Sequence, residues 1–226
     1  MSDNRDSVAS DAVLISDPEQ QAIREAENAI RQFDRVLDMI DDVARGGRPF
    51  KLRTSKILDL HRCALEGLSA YAGNFRPGPV TIGKSKHTPP EAHLVAELIE
   101  EMCDYVNDHW QQQTAVELCA YVMWRLNWIH PFSDGNGRTS RALAYLVLCA
   151  RVGDRLPGRK TVPEQIAENK APYYDALETA DAAFAHGRID VGEMRDLLET
   201  YLALQLKTVF DAARAVDSDS IERKFH

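Results

Sequence analysis

Residues 130–141 read His130-Pro131-Phe132-Ser133-Asp134-Gly135-Asn136-Gly137-Arg138-Thr139-Ser140-Arg141, and the chain continues as Ala142-Leu143-Ala144-Tyr145-Leu146-Val147-Leu148-Cys149-Ala150. A stretch apolar on nearly every side predicts a fully buried helix, the central element of an all-α domain. The residues before it load the helix's positive end with chemistry. Gly135 and Gly137 flank Asn136, which predicts a backbone nest with successive N–H groups turned toward an anion. Arg138 and Arg141, three apart, share one face of the first turn and can grip separate oxygens of a polyphosphate. The unpaired N–H groups and the dipole of the helix point to the same place. The spacing predicts a phosphate-handling site in one loop, with His130 as proton acceptor and Asp134 as a neighbouring carboxylate.

Taken singly, these residues have plainer uses. Asp-Gly-Asn-Gly makes turns, a histidine at a helix end is commonly structural, and an arginine is commonly solvated. A calcium loop beginning at Asp134 fails, because Tyr145 stands where the bidentate Glu belongs. Residues 153–160 nearly spell a P-loop, but Arg159 replaces the lysine and no strand precedes it, which predicts a surface connection. It is the ordered set from His130 to Arg141 that points to phosphate.

Upstream, Thr114-Ala115-Val116-Glu117 is a capping box opening a helix that carries Leu118, Val122 and Leu126 toward His130. Another helix is expected from Pro90 through Met102, and one from Thr54 that ends before Gly73. Between them, Pro77-Gly78-Pro79, Val80-Thr81-Ile82 and Pro89-Pro90 are turn and strand signals, the one good hairpin candidate in an otherwise helical text. Ser16-Asp17-Pro18-Glu19 starts a long helix to Gly46-Gly47, with an apolar stripe of Ile23, Ile30, Phe33, Leu37 and Ile40. Downstream, helices fit Pro163 to Asn169, Pro172 to Ala185, and Asp190 to about Ala212. The expected organisation is a disordered tail over 1–15, an N-terminal helix over 16–47, a catalytic domain over 48–213 and a polar tail over 214–226 that frays.

A chain of 226 residues accommodates one well-buried domain with an extension. Its net charge of -8 argues against a nucleic-acid surface or a polybasic membrane patch, leaving nucleotides and proteins as partners. No stretch reaches the ~18 apolar residues of a membrane span, and the N-terminus has no apolar leader. Cys63, Cys103, Cys119 and Cys149 show no metal-ligand or C-x-x-C spacing, so buried, reduced thiols and a cytoplasmic setting are expected, with delivery into another cell compatible.

The 130–141 run resembles, position for position, the His-Pro-Phe-x-Asp/Glu-Gly-Asn-Gly-Arg-x-x-Arg motif of the Fic-domain family, whose members typically transfer AMP from ATP to a hydroxyl of a target protein. Residues 57–61, 72–76 and 80–83 resemble that family's segment leading into its target-binding flap, and 169–177 its helix after the motif. The resemblance implies a Fic-fold helical bundle with a small β-hairpin flap, in which Val80, Thr81, Ile82, Gly83 and Lys84 align a target segment by strand addition. It also implies that Tyr173 and Tyr174 lie near the adenine, whereas by pattern alone one of the two is equally a core residue. Asp181 falls where related proteins often carry an Asn that reads the base. Many members have an inhibitory helix, Ser/Thr-x-x-x-Glu-Gly/Asn, whose Glu pairs with the second motif arginine. The nearest match here is Ile23-Arg24-Glu25-Ala26-Glu27-Asn28, with Ile23 at the Ser/Thr position; Glu27 as a partner of Arg141 stands against the favoured plainer reading, a solvated carboxylate on an amphipathic helix.

Hydroxyl attack on phosphorus requires a base, charge neutralisation and donors that hold the phosphates in line, and each has a candidate here. His130 accepts the hydroxyl proton. Asp134 holds Mg²⁺ through a single carboxylate contact, the other ligands being phosphate oxygens and water. Asn136 and the N–H groups from Gly135 to Arg138 form the anion hole, and Arg138 and Arg141 clamp the outer phosphates. Phe132 is expected as a core plug. The expected reaction is adenylyl transfer from ATP-Mg²⁺ to a Tyr, Ser or Thr of a target protein, with autoinhibition and automodification compatible with it. Transfer of UMP or phosphocholine, removal of AMP, and a catalytically quiet nucleotide-binding regulator are the alternatives, and a homodimer or a regulatory partner chain fits either case.

Overall fold

The computed structural model describes residues 7–8, 14–46, 49–83, 85–158 and 160–222. Helix α1 (Pro18–Ala44) begins under the predicted cap: Asp17 Oδ1 accepts from the N–H groups of Glu19 at 2.8 Å and Gln20 at 3.3 Å, with Pro18 at the first helical position. There follow α2 (Thr54–Leu65), a short 3-10 turn (Ala92–Leu94), α3 (Val95–Asp108), α4 (Ala115–Ile129), α5 (Asn136–Val152), α6 (Val162–Glu168), α7 (Ala171–Ala185) and α8 (Gly192–Glu222). Two strands of two residues, β1 (Ser7–Val8) and β2 (Thr81–Ile82), complete the described elements. The fold is all-α.

Helices α4 and α5 form the centre of the core. The capping box at Thr114 is present: Glu117 N–H donates to Thr114 Oγ1 at 3.2 Å, and Glu117 Oε2 accepts from the Thr114 N–H at 2.8 Å. Every α4 residue from Leu118 to Leu126 is buried, and α5 buries Leu143 to Ala150, as its apolar text requires. A central helix enclosed on all sides gives the motif loop at its N-terminus a rigid base.

Four expectations are corrected. The apolar stripe of α1 does not all face inward: Ile23 and Ile30 are 54% and 66% exposed, whereas Asn28, Gln32, Val36, Met39 and Ile40 are buried. The reason lies in α2, whose last carbonyls have no intrahelical donor. Asn28 Nδ2 donates to Glu66 O at 2.9 Å and Ala64 O at 3.3 Å, and Gln32 Nε2 donates to Leu60 O at 3.0 Å, so polar residues decide which face of α1 docks. The hairpin is not local either. Among the described residues, β2 pairs antiparallel with β1, in the register Ser7↔Ile82 and Val8↔Thr81. Pro77, Pro79, Pro89 and Pro90 around β2 have no N–H to give a ladder. Of the expected tail, 1–6 and 9–13 lie outside the described residues. Pro90 does not open a helix; the helical hydrogen bonds begin only at the 3-10 turn. Finally, α8 runs to Glu222, past the expected end at about Ala212, in keeping with the Ala-rich text from Asp211 to Ala215.

The near-P-loop text is a surface link, in which Arg155 donates to both carboxylate oxygens of Asp41 on α1 at 2.5 and 2.6 Å; Arg159 lies outside the described residues. All four cysteines are unbridged, with Cys103, Cys119 and Cys149 buried. Among the described residues, no helix is long and apolar enough to cross a membrane.

Candidate active site

Helix α4 ends at His130, whose backbone is left-handed (φ 51°, ψ 57°), the one non-glycine residue with positive φ among those described. That conformation costs an L-residue about 1–2 kcal/mol, so neighbours must hold it. Buried Arg76 does so. Its Nε donates to the His130 carbonyl at 2.8 Å and its backbone N–H to the Pro131 carbonyl at 2.9 Å. Its remaining guanidinium nitrogens reach the carbonyls of Gly78, at 2.8 Å, and Pro90, so one arginine ties the motif loop to both ends of the flap. In the His130 ring, Nδ1 lies 3.1 Å from the Asn127 carbonyl. A carbonyl only accepts, so Nδ1 carries the hydrogen and the lone pair sits on Nε2.

The loop after His130 is held from beneath. Phe132 is fully buried and stacks on His61, with centroids 3.6 Å apart and planes 4° from parallel. His61 Nε2 donates to the Asp134 carbonyl at 3.0 Å while its Nδ1 accepts from the Gly73 N–H at 3.0 Å. Both nitrogens are committed as a neutral ring, and burial drives its pKa down to about 4. Asn136 closes the turn: its Nδ2 donates to Phe132 O at 2.8 Å, and its Oδ1 accepts from Phe132 N–H at 2.9 Å. Gly135 has φ 76°, and a Cβ there would stand 2.3 Å from Leu65 Cδ2, so any other residue would strain the backbone and push the Leu65 side chain aside.

This scaffold opens onto a cleft of about 620 Å³ between the start of α5, α7, β2 and α1. Its walls include His130, Asp134, Gly135, Asn136, Gly137, Arg138, Arg141, Tyr173, Tyr174 and Ile82, together with Glu25, Asn127 and Lys170. Asp134 Oδ2 accepts from Arg138 Nη2 at 2.7 Å. Arg141 makes no hydrogen bond or ion pair with any described residue, and burial lowers its pKa. A half-buried guanidinium without a carboxylate, at a helix N-terminus, is a site that an anion completes. Three cations and two carboxylates line the cleft, so it is locally positive in a chain of net charge -8. Asp134 is a hard oxygen donor of the kind Mg²⁺ takes. Among the described residues no group of three His, Cys, Asp or Glu gathers to hold a metal, so a cation here would draw its other ligands from phosphate and water. A larger open groove of about 1360 Å³ between α1 and α2 contains none of the motif residues.

Several predicted residues sit differently from expectation. The Asn136 side chain is engaged by the Phe132 main chain through both of its polar atoms, so it shapes the nest. Gly137 is helical; its lack of a side chain leaves room for Arg141, whose Nη1 would be 3.2 Å from a Cβ there. Tyr173 is buried, its hydroxyl accepting from Asn127 Nδ2 at 2.8 Å, and Tyr174 is the more open of the pair. Asp181 is not brought to the cleft, because its Oδ1 accepts from the Trp124 indole at 2.9 Å. Glu27 does not meet Arg141: it pairs with Arg24 at 3.2 Å on the open side of α1. Glu25 lines the cleft instead, 4.0 Å from Arg138. The signal for this was the polar pair Asn28 and Gln32, three and seven residues after Glu25 and thus on its face of the helix. In the flap, Ile82 reaches the cleft, Val80 is buried, Thr81 is exposed, and Lys84 lies outside the described residues.

The Fic/DOC family profile matches residues 51–148. Over 165 residues the chain is 30% identical to the protein adenylyltransferase fic-1 of Caenorhabditis briggsae, an alignment covering 71% of this chain and 30% of the relative. Over 94 residues it is 38% identical to the protein adenylyltransferase Fic of Drosophila persimilis, covering 41% and 18% respectively. The chain thus spans less than a third of the length of these relatives. In three dimensions it resembles Fic-1 (residues 134–508) of C. elegans, with a TM-score of 0.65 at 21% identity, covering 84% of this chain and 52% of that one. The motif built on α5 lies inside the matched profile, and the shared fold agrees with it: residues 51–148 match the Fic/DOC family and the chain has the Fic fold.

Proposed function

We propose that this chain transfers AMP from ATP to a hydroxyl side chain of a protein. The observation that carries the reading is the pairing, in one cleft, of a histidine whose lone pair is on Nε2 with an arginine, Arg141, that has no anionic partner among the described residues. As the hydroxyl oxygen attacks the α-phosphorus, Nε2 of His130 takes its proton. The bond from the α-phosphorus to the bridging oxygen breaks, and pyrophosphate leaves against Arg138, Arg141 and the N–H groups at the start of α5. Asp134 would hold Mg²⁺, which when bound neutralises phosphate charge. Arg76 and His61 keep the loop in place without touching the reacting atoms. Tyr174 and Leu177 offer the base a surface. The names of the relatives, protein adenylyltransferases, support AMP as the group transferred.

A second reading, transfer of another nucleotide such as UMP, draws on the placement of Asp181, which is bonded to Trp124 and does not wall the cleft. Incubation with labelled ATP, UTP, CTP or GTP, Mg²⁺ and a cell lysate, followed by mass spectrometry of labelled proteins, separates the two. AMP adducts that require His130 are expected. UMP adducts in their place, or labelling that survives His130→Ala, would overturn the first reading.

A further inference from the structure

We propose that the open groove between α1 and α2 docks an acidic peptide segment of another protein. The inference stands apart from the transferase reading, since the groove holds none of the motif residues. Five cations, Arg35, Lys51, Arg53, Lys56 and Arg62, line it against two carboxylates, Asp42 and Asp59, in a chain whose net charge is -8. Both carboxylates are already paired. Asp59 accepts from Arg35 Nε at 2.6 Å and from Arg62 Nη2 at 2.5 Å, and Asp42 lies 3.6 Å from Arg45. Exposed Lys51 and Arg53 and half-buried Lys56 form no ion pair with any described residue, so the positive field of the groove is left uncancelled.

Those three cations stand where helix physics disfavours them. Helix α2 begins at Thr54; its cap residue, Arg53, makes no side-chain hydrogen bond to the first turn, and that turn has no acidic residue. A helix N-terminus carries a partial positive charge and favours Asp or Glu, so Lys51, Arg53 and Lys56 add charge of the same sign to it. Departures from local rules of this kind concentrate at functional surfaces, and an anionic partner would relieve this one. The floor of the groove is apolar. Met39, Val43 and Leu58 line it, and Phe50 stacks on Trp110, centroids 4.7 Å apart, with Lys56 Nζ 5.9 Å from the Phe50 ring. An apolar floor beneath a cationic rim fits carboxylates interrupted by aliphatic side chains. A nucleic-acid backbone would leave that floor uncovered and meet the negative charge of the rest of the chain. The groove also takes in Ala72, Gly73 and Asn74, the turn that leads to Arg76 and the flap, so a docked segment lies at the root of the flap.

The test is fluorescence anisotropy of the full chain with a short labelled peptide of glutamates interrupted by leucines. Saturable binding is expected. It should weaken at least about tenfold in the triple variant Lys51→Glu, Arg53→Glu, Lys56→Glu, and hold in the control Arg188→Glu, Lys207→Glu, which reverses two exposed cations outside the groove. Serines in place of the peptide's leucines should weaken binding by about threefold or more. Absence of saturable binding to wild type, or an equal loss in both variants, would overturn the proposal, and equal affinity for the two peptides would overturn the role of the floor. A single-stranded oligodeoxynucleotide that bound more tightly than the peptide, and was released by the triple reversal, would replace the acidic peptide by a phosphate backbone. A mass by light scattering that rises toward a dimer with concentration in wild type but not in the triple variant would mean that a second copy fills the groove, and would also overturn the proposal. Thermal unfolding supplies a reading independent of any ligand: the reversal places acids at the start of α2, so the midpoint should equal or exceed that of wild type. A lower midpoint would mean that the cations serve the fold, and the case for a partner built on their misplacement would fail.

Discussion

The motif loop and α1 meet at the same cleft, yet they encode their geometry differently. In the loop, much of the turn is closed by neighbours a few positions away: Asn136 bonds Phe132, Arg138 bonds Asp134, and Gly135 supplies the left-handed turn that starts α5. In α1 the orientation is set by partners more than thirty residues on, the carbonyls of Ala64 and Glu66 that Asn28 satisfies. Local geometry can be read from spacing. Long-range docking of an amphipathic helix cannot, when the residues that decide it are polar.

The sharpest way to break this contrast is at His130. His130→Ala should lower transfer about 100- to 10,000-fold, the range for loss of a general base, while nucleotide binding measured by calorimetry stays nearly unchanged. Transfer within about tenfold of wild type would remove the base from its role. Next comes the turn. Gly135→Ala would need a left-handed backbone and a collision with Leu65, and should destabilise the chain by about 2–4 kcal/mol in denaturant unfolding. An alanine variant as stable as wild type would show that the loop has slack that its geometry denies.

His61 tests the support beneath the loop through pH. Its folded-state pKa, about 4, lies below the ordinary value of 6.5, so between these values the unfolded ring binds a proton that the folded ring refuses. Its contribution is complete above pH 6.5 and is lost as pH falls toward 4, by about 3 kcal/mol at most. Unfolding free energies of wild type and His61→Asn, followed from about pH 7 to 4, should converge as the pH drops. Parallel curves would mean that the ring is protonated in the native state.

Smaller effects probe α1. Asn28→Ala should cost about 1–2 kcal/mol, because two carbonyls at the end of α2 lose their donor, whereas Ile23→Ala and Ile30→Ala should fall within about 0.5 kcal/mol of wild type. The reverse ranking in thermal melts would restore the apolar stripe as the docking face. The smallest effect expected is electrostatic. Glu25→Gln removes a negative charge from the cleft and should tighten ATP binding by up to about fivefold, or ~1 kcal/mol, with Glu27→Gln unchanged. Equal responses at the two positions would break the assignment of Glu25 to the cleft.

Much of the site was legible because its chemistry lies in one run of twelve residues at the start of a helix whose apolar text admits only burial. Arg76 and His61 were not, since each acts by hydrogen-bonding a main-chain carbonyl far along the chain, at His130 and Asp134, and a carbonyl has no letter in the sequence. Asp181 sits on the expected helix but bonds Trp124 of α4, a choice made by how α7 packs and not by its own neighbours.

The sequence by itself determined the all-α class, the central place of α5, the caps at Asp17 and Thr114 and the order of groups from His130 to Arg141, because spacing and propensity act over a few residues. Only the tertiary structure decided which carboxylate of α1 faces the arginines, which strand the flap pairs with, and what holds His130 in a left-handed turn. Each of these depends on satisfying a buried or edge backbone group, and the donor or acceptor that does so comes from a distant part of the chain.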